Sequence, residues 1–317
     1  MQTKDNLVLS QAQRIISQIR RVVVGKDQAL LWVLATILAK GHILLEDIPG
    51  VGKTTMALSF SMTLGLSHNR VQFTPDVLPS DITGYSVMNQ TTGTMTYQPG
   101  AVLCNLFLAD ELNRATSRTQ SALLEAMEEG QVTVDGISHP LPSPFIVIAT
   151  QNPTGAAGTQ LLPDSQMDRF MVRLSLGYPS PRDEIAMVMN RQGQEPLKQL
   201  NQLLRPEEVS LLQDAVAKTY VHEDVVAYIV ALVGATRNHE ALERGASPRA
   251  TLAVTAMSKA IARLRGRDYV IPKDVQEVFS HTVAHRLLLT DKAESQGLTA
   301  HQILQQIMNG MDVPKLR

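Results

Sequence analysis

Residues Ile43 to Thr55 read ILLEDIPGVGKTT: a short apolar run, a loop with two glycines, then Lys53 and Thr54 opening a helix. A buried strand that passes through such a loop into a helix is the layout of a phosphate-binding turn. The glycines let backbone N–H groups face inward, and the start of the helix is electropositive. In that geometry Lys53 reaches the β- and γ-phosphates of a nucleotide and the Thr54 hydroxyl ligates a magnesium ion. The cradle is assigned to Pro49, Gly50, Val51, Gly52, Lys53, Thr54 and Thr55. The pattern G-x-x-x-x-G-K-[ST] fails at one position, where Asp47 replaces the first glycine. An acid beside a polyphosphate repels it unless the side chain points away.

A chain of 317 residues is long enough for a large core and two domains. Its net charge of −1 supplies no basic field of the kind that drives nucleic-acid binding. Cys104 is the only cysteine and reads as a small buried hydrophobe. The N-terminus has no signal-like apolar core, and no window reaches the roughly 18 apolar residues of a membrane span. Leu30 to Ala39 reads as a buried helix, and a cytoplasmic chain is expected.

Along the chain, Ser10 is placed to cap a helix ending near Arg20, and Asp27 to Lys40 forms a second helix ended by Gly41. Between them Val24 and Gly25 either wall an adenine pocket or pack as plain core. Arg70 to Phe73 is a strand candidate. Gly84 to Pro99 alternates apolar residues about a TTG turn and reads as a hairpin, either an edge ornament or a contact device. Leu106 to Glu111, LFLADE, has the pattern of a buried parallel strand ending in two acids, at the strand end where open α/β sheets bind ligands. Asp110 is assigned to magnesium and Glu111 to deprotonating a water aimed at the γ-phosphate. Ala115 to Glu129 is a helix, and Asp135-Gly136 is a two-residue hairpin turn between Val134 and Ile137. The strand Phe145 to Ala149 leads to Asn152, whose amide can fix the attacking water. Asp164 to Phe170 reads as a helical turn followed by a strand over Met171 to Leu176.

The break GYPSP, Gly177 to Pro181, divides an α/β domain (residues 1–180) from a helical one (181–317). Helices are expected near Arg182–Asn190, Pro206–Thr219, Glu223–Thr236, Pro248–Arg265, Lys273–Leu289 and Ala300–Met308. Ser247 is a natural N-cap with Pro248 at the first helical position. Arg249 then sits in the first turn, against the helix dipole, which implies an anion in front of it. His281 and His285 lack the glutamate a zinc protease needs at position 282 and read as core or surface histidines.

These motifs in unbroken order, EDIPGVGKTT, FTPDVLPSDITGY, LFLADELNRATSRTQSALLEAMEEGQVTVDG, FIVIATQNP, LLPDSQMDRF, GYPSP and GASPRA, closely resemble the MoxR family of AAA+ ATPases from about Val22 to Arg265. The resemblance implies a five-stranded parallel sheet plus an all-helical lid, with ATP and Mg2+ as cofactors. By this resemblance Gly50, Gly52, Lys53 and Thr54 match the Walker A loop, Asp110 and Glu111 the Walker B acids, and Asn152 sensor 1. Arg169 matches the arginine finger supplied in trans, and Arg249 the sensor 2 arginine. Residues 84–99 are similar to the helix-2 insert and 131–139 to the pre-sensor-1 hairpin. The family tolerates an acid in place of the first loop glycine. It also implies hexameric rings that remodel or mature protein clients, often with a von Willebrand factor A-domain partner. Arg169 follows a strand that is expected at the far side of the sheet from its own phosphate loop. A DNA-handling ATPase is the alternative, against which neither hairpin holds a lysine or arginine. A small-molecule P-loop kinase would need neither Arg169, Arg249 nor a ring.

Overall fold

The computed structural model describes residues 7–48, 50–91, 93–152, 162–190 and 195–315. The chain begins with helices α1 (Leu7–Ile19) and α2 (Asp27–Leu38), then strand β1 (Ile43–Glu46), α3 (Lys53–Thr63) and β2 (His68–Gln72). A short α4 (Pro79–Thr83) leads into the hairpin β3 (Gly84–Met88) and β4 (Met95–Pro99), then β5 (Leu106–Asp110) and α5 (Ser117–Glu129). A second hairpin, β6 (Gln131–Val134) and β7 (Ile137–Pro140), precedes β8 (Ile146–Gln151), α6 (Asp164–Met167) and β9 (Val172–Leu174).

The remainder is helical. It comprises α7 (Pro181–Asn190), α8 (Pro206–Ala217), α9 (Glu223–Thr236), α10 (Pro248–Leu264), α11 (Pro272–Val283), α12 (Asp291–Ser295) and α13 (Ala300–Asn309). Short strands β10 (Leu242–Arg244) and β11 (Leu288–Leu289) pair antiparallel within it.

Five strands form one parallel sheet in the order β2-β5-β8-β1-β9. Because side chains alternate along a strand, β1 feeds two cores. Ile43 and Leu45 join Leu108, Ile148 and Val172 under α1, α2 and α3, while Leu44 joins Phe107, Val147 and Ala149 with Leu123 and Leu124 of α5. The first of these cores continues into the helical region without a break, taking in Leu212, Val254, Ile261 and Phe279.

The two hairpins lean on each other. The Tyr97 and His139 rings stack with centroids 3.7 Å apart and planes 12° from parallel, and the Tyr97 hydroxyl donates to the Thr83 carbonyl at 2.6 Å. The expected turn holds: Asp135 and Gly136 both have positive φ, 51° and 78°, the backbone that an Asp-Gly hairpin needs. Cys104 is buried, and burial pushes its thiol up to about 11.

Some expectations are corrected. The first helix starts at Leu7, so Ser10 does not cap it; its hydroxyl donates to the Leu7 carbonyl at 3.0 Å. The helix expected through Leu289 ends at Val283, because Leu288 and Leu289 are drawn into the pair with β10. Among the described residues, no helix is long and apolar enough to cross a membrane.

Two glycines test the packing in opposite directions. At Gly100 a Cβ would stand 2.2 Å from the Gly84 nitrogen and the Ile82 carbonyl oxygen, so Gly100→Ala should cost ~1–3 kcal/mol. Gly234, within α9, has open space around its Cβ position, so Gly234→Ala should gain ~0.5–1 kcal/mol. Urea titrations of both variants read these signs directly.

Candidate active site

The parallel strands all point the same way, so β1, β2, β5 and β8 deliver Glu46, Gln72, Asp110 and Gln151 to one edge of the sheet. A cavity of about 430 Å³ lies at this edge. Gly50, Val51, Gly52, Lys53, Thr54 and Thr55 line it, as do Asp110, Glu111 and Asn152. Gly50 and Gly52 have φ of 88° and 97°, and a Cβ on either would meet nothing within 4 Å. The glycines are therefore required by the backbone angle of the turn and not by crowding. No side chain caps α3, which leaves its first N–H groups to an anion. Pro49 lies outside the described residues. Val24 lines the cavity with Val22 and Val23, while Gly25 does not; a Cβ on Gly25 would be 2.4 Å from the Asp183 carboxyl.

Asp47 turns away from the cradle. Its carboxylate accepts hydrogen bonds from the Ser175 hydroxyl at 2.9 Å, the Gly177 N–H at 3.1 Å and the Leu176 N–H. The acid that occupies the first glycine position thus fastens the loop to the chain leaving β9. Lys26 closes the same segment from the other side, donating to the Leu176 and Gly177 carbonyls at 2.6 and 3.0 Å. Lys53 donates to the Asp47 carbonyl at 2.6 Å and contacts Asn152 Oδ1 at 3.5 Å. Burial lowers its pKa, opposed by the charges of Asp47, Asp110 and Glu111.

The acids are held by residues that the sequence pattern did not single out. Thr150 donates its hydroxyl hydrogen to Asp110 Oδ1 at 2.6 Å and accepts the Glu111 N–H at 2.8 Å. Arg70 holds the other Asp110 oxygen through Nη2 at 2.7 Å and Nε at 3.2 Å. Glu111 has φ of 56°, a left-handed backbone uncommon outside glycine, and such angles collect at functional sites. Its carboxylate accepts from Arg114 Nη1 at 2.8 Å and from Asn152 Nδ2 at 3.1 Å. The Arg114 hydrogen bond is the main reason its pKa is lowered, assisted by Asn152 and opposed by burial and Asp110. The sequence signal that could have found Arg114 is its spacing of three from Glu111.

Among the described residues, no cluster of three His, Cys, Asp or Glu side chains could hold a metal by itself. A hydroxyl and a carboxylate facing one phosphate cradle nevertheless suit magnesium, which takes few protein ligands and completes its shell with phosphate and water. Thr54 and Asp110 line the cavity together and fit that role.

Arg169 and Arg249 are elsewhere. They border a second cavity, of about 320 Å³, which shares no lining residue with the first. Arg169 Nε donates to Glu128 Oε2 at 3.0 Å, and Arg249 pairs with Glu128 Oε1. Glu128 is the anion implied in front of Arg249, and it is held below the usual carboxylate range, first by the Arg169 hydrogen bond. The expected far side of the sheet is corrected: β8, the strand that Arg169 follows, pairs directly with β1, as does β9 after it. The separation comes instead from the strand ends. Arg169 precedes Val172, which pairs with Ile43 at the start of β1, whereas the phosphate loop leaves the other end of that strand.

The family model described as "ATPase family associated with various cellular activities (AAA)" matches residues 42–172, and that described as "AAA lid domain" matches residues 234–307. YeaC, an uncharacterized protein of Bacillus subtilis, is 43% identical over 304 residues, covering 96% of this chain and 95% of that protein. The chaperone MoxR1 of Mycobacterium tuberculosis is 40% identical over 313 residues, covering 96% and 82%. A crystal structure of a Cytophaga hutchinsonii protein, 35% identical, superposes with a TM-score of 0.92 over 98% of this chain and 97% of that one.

Because Arg114 is the chief cause of the lowered Glu111 pKa, Arg114→Met should move that titration up toward the ordinary carboxylate range. The stability lent by ionised Glu111 is present above that range and is lost as pH falls through the depressed value. Carbon-13 NMR of labelled glutamate reads the shift, and an unmoved titration would place its cause elsewhere.

Proposed function

The chain belongs to the MoxR family of AAA+ ATPases, and on that premise we propose that it hydrolyses ATP in a head-to-tail ring, each chain lending Arg169 and Arg249 to its neighbour's nucleotide. The observation that carries this reading is the convergence of both arginines on Glu128, at the opposite strand end from their own phosphate loop. Two guanidiniums on one carboxylate leave an excess positive charge, and both side chains are partly exposed. A phosphate entering from another subunit meets a charge it can neutralise.

In this reading Lys53 and the first N–H groups of α3 hold the phosphates. Thr54 and Asp110 would hold a magnesium ion, whose charge would offset that of the β- and γ-phosphates. Asn152 orients a water, and Glu111 accepts its proton as the water oxygen bonds to the γ-phosphorus and the bond to the bridging oxygen breaks. Arg169 and Arg249 of the neighbouring subunit face the charge on the transferring group. Val24, with Val22 and Val23, walls the base side of the pocket. The division between nucleotide domain and lid falls at residue 180.

The family resemblance supports a hexamer, a cytoplasmic setting, a von Willebrand factor A-domain partner and a protein client. The exposed Tyr85, Val87, Met88, Met95 and Ile137 of the stacked hairpins are apolar and uncharged, which suits a polypeptide better than a nucleic acid.

Arg169→Ala and Glu111→Gln should each be nearly inactive alone. In an equal mixture with confirmed subunit exchange, roughly a quarter of interfaces pair an intact Glu111 with an intact Arg169, so hydrolysis should reappear. No recovery in well-mixed rings would place Arg169 outside the neighbour's site. Replacing residues 84–99 by a short glycine-serine loop should spare basal hydrolysis and impair client handling; a lost thermal transition would mark the hairpin as structural.

A further inference from the structure

We propose that Asp168 is a positioning residue, whose carboxylate joins the finger segment to the lid so that Arg169 and Arg249 move as one unit. The proposal rests on the reading that these arginines serve a neighbour's ATP. Asp168 stands beside Arg169 in the chain, and its two oxygens reach two different lid elements. Oδ1 accepts from Arg286 Nη1 at 2.7 Å, and Oδ2 accepts from the Ser247 hydroxyl at 2.9 Å. Ser247 occupies the N-cap position of α10 yet makes no side-chain cap bond. Its hydroxyl is spent on Asp168, two residues before Arg249.

The residue on the other side of the finger is held by the same lid segment. The Phe170 carbonyl accepts from Arg286 Nη2 at 2.8 Å and from His285 Nε2 at 3.0 Å. The His285 ring must carry its hydrogen on Nε2, because a carbonyl can only accept, and burial keeps the ring neutral by lowering its pKa well below the ordinary value. The Arg286 side chain is 2% exposed, and burial lowers its pKa to about 10, so it stays cationic at neutral pH. A buried charge is costly to keep and adds little net stability, but it does fix geometry.

The contacts close a loop. Arg169 meets Arg249 through Glu128, and their chain segments are joined by the side chains of Asp168 and Ser247. When a phosphate draws both guanidiniums off Glu128, the Asp168 link still ties the Arg169 segment to the start of α10 that carries Arg249. A misplacement of about 1 Å can cost ~10²-fold in rate.

Asp168→Asn removes the charge at nearly constant shape. Its kcat should fall ~10- to 100-fold with ATP affinity unchanged, because its own phosphate loop is at the other strand end. Ser247→Ala, which deletes one hydroxyl, should lower kcat by a smaller factor at an unchanged melting temperature. Mixed with Glu111→Gln after confirmed exchange, Asp168→Asn should regain hydrolysis, since its intact Glu111 then meets a correctly held finger; a globally weakened fold would not be rescued. The mixture of Arg169→Ala with Glu111→Gln is the control. Wild-type kcat in Asp168→Asn, or no recovery while the control recovers, overturns the positioning role. Failure of the control itself overturns the trans reading, and this proposal with it.

Discussion

The middle of the sheet is closed off from water: every residue of β5 and β8 is buried. Charged groups are excluded from those buried strands except where they stop, because an unpaired charge in the interior is costly. The acids and the phosphate loop therefore collect at the carboxyl ends. Arg169 lies beyond the amino end of β9, and the lid packs beside it. The separation of Asp110 and Glu111 from Arg169 within one chain follows directly from strand polarity.

Asp47 shows how a departure from a motif can be absorbed. A glycine at that position would leave the loop attached only through its backbone. The aspartate instead ties it to Ser175, Leu176 and Gly177, and Lys26 grips the carbonyls of the same segment. What looked like a repulsion from sequence is an anchor, because the side chain has three donors on the side away from the cavity.

Local chemistry was legible in the sequence. The Asp135-Gly136 turn, the glycines of the loop and the acids ending LFLADE each state their conformation or their strand end within a few residues. Contacts made across the fold were not legible. Arg70 is an ordinary exposed strand residue until β2 pairs with β5 and puts it beside Asp110. Ser247 had every mark of a helix cap, and only the position of Asp168 diverts its hydroxyl. Leu288 and Leu289 read as the end of a helix because the partner strand lies more than forty positions away. Arg169 and Arg249 were legible as important, but their shared glutamate depended on how α5 and α10 meet.

The apolar core that runs from β1 through α2 and into α8, α9, α10 and α11 has a mechanical meaning. Close-packed interiors resist shear, so a push at one end arrives at the other with little absorbed between. Helix α7 is the exception. None of its residues is buried, yet Met187 lines the nucleotide cavity. A helix with so little packing to lose is cheap to displace. The least anchored helix of the described residues bordering this cavity is thus the one whose displacement would cost the fold least.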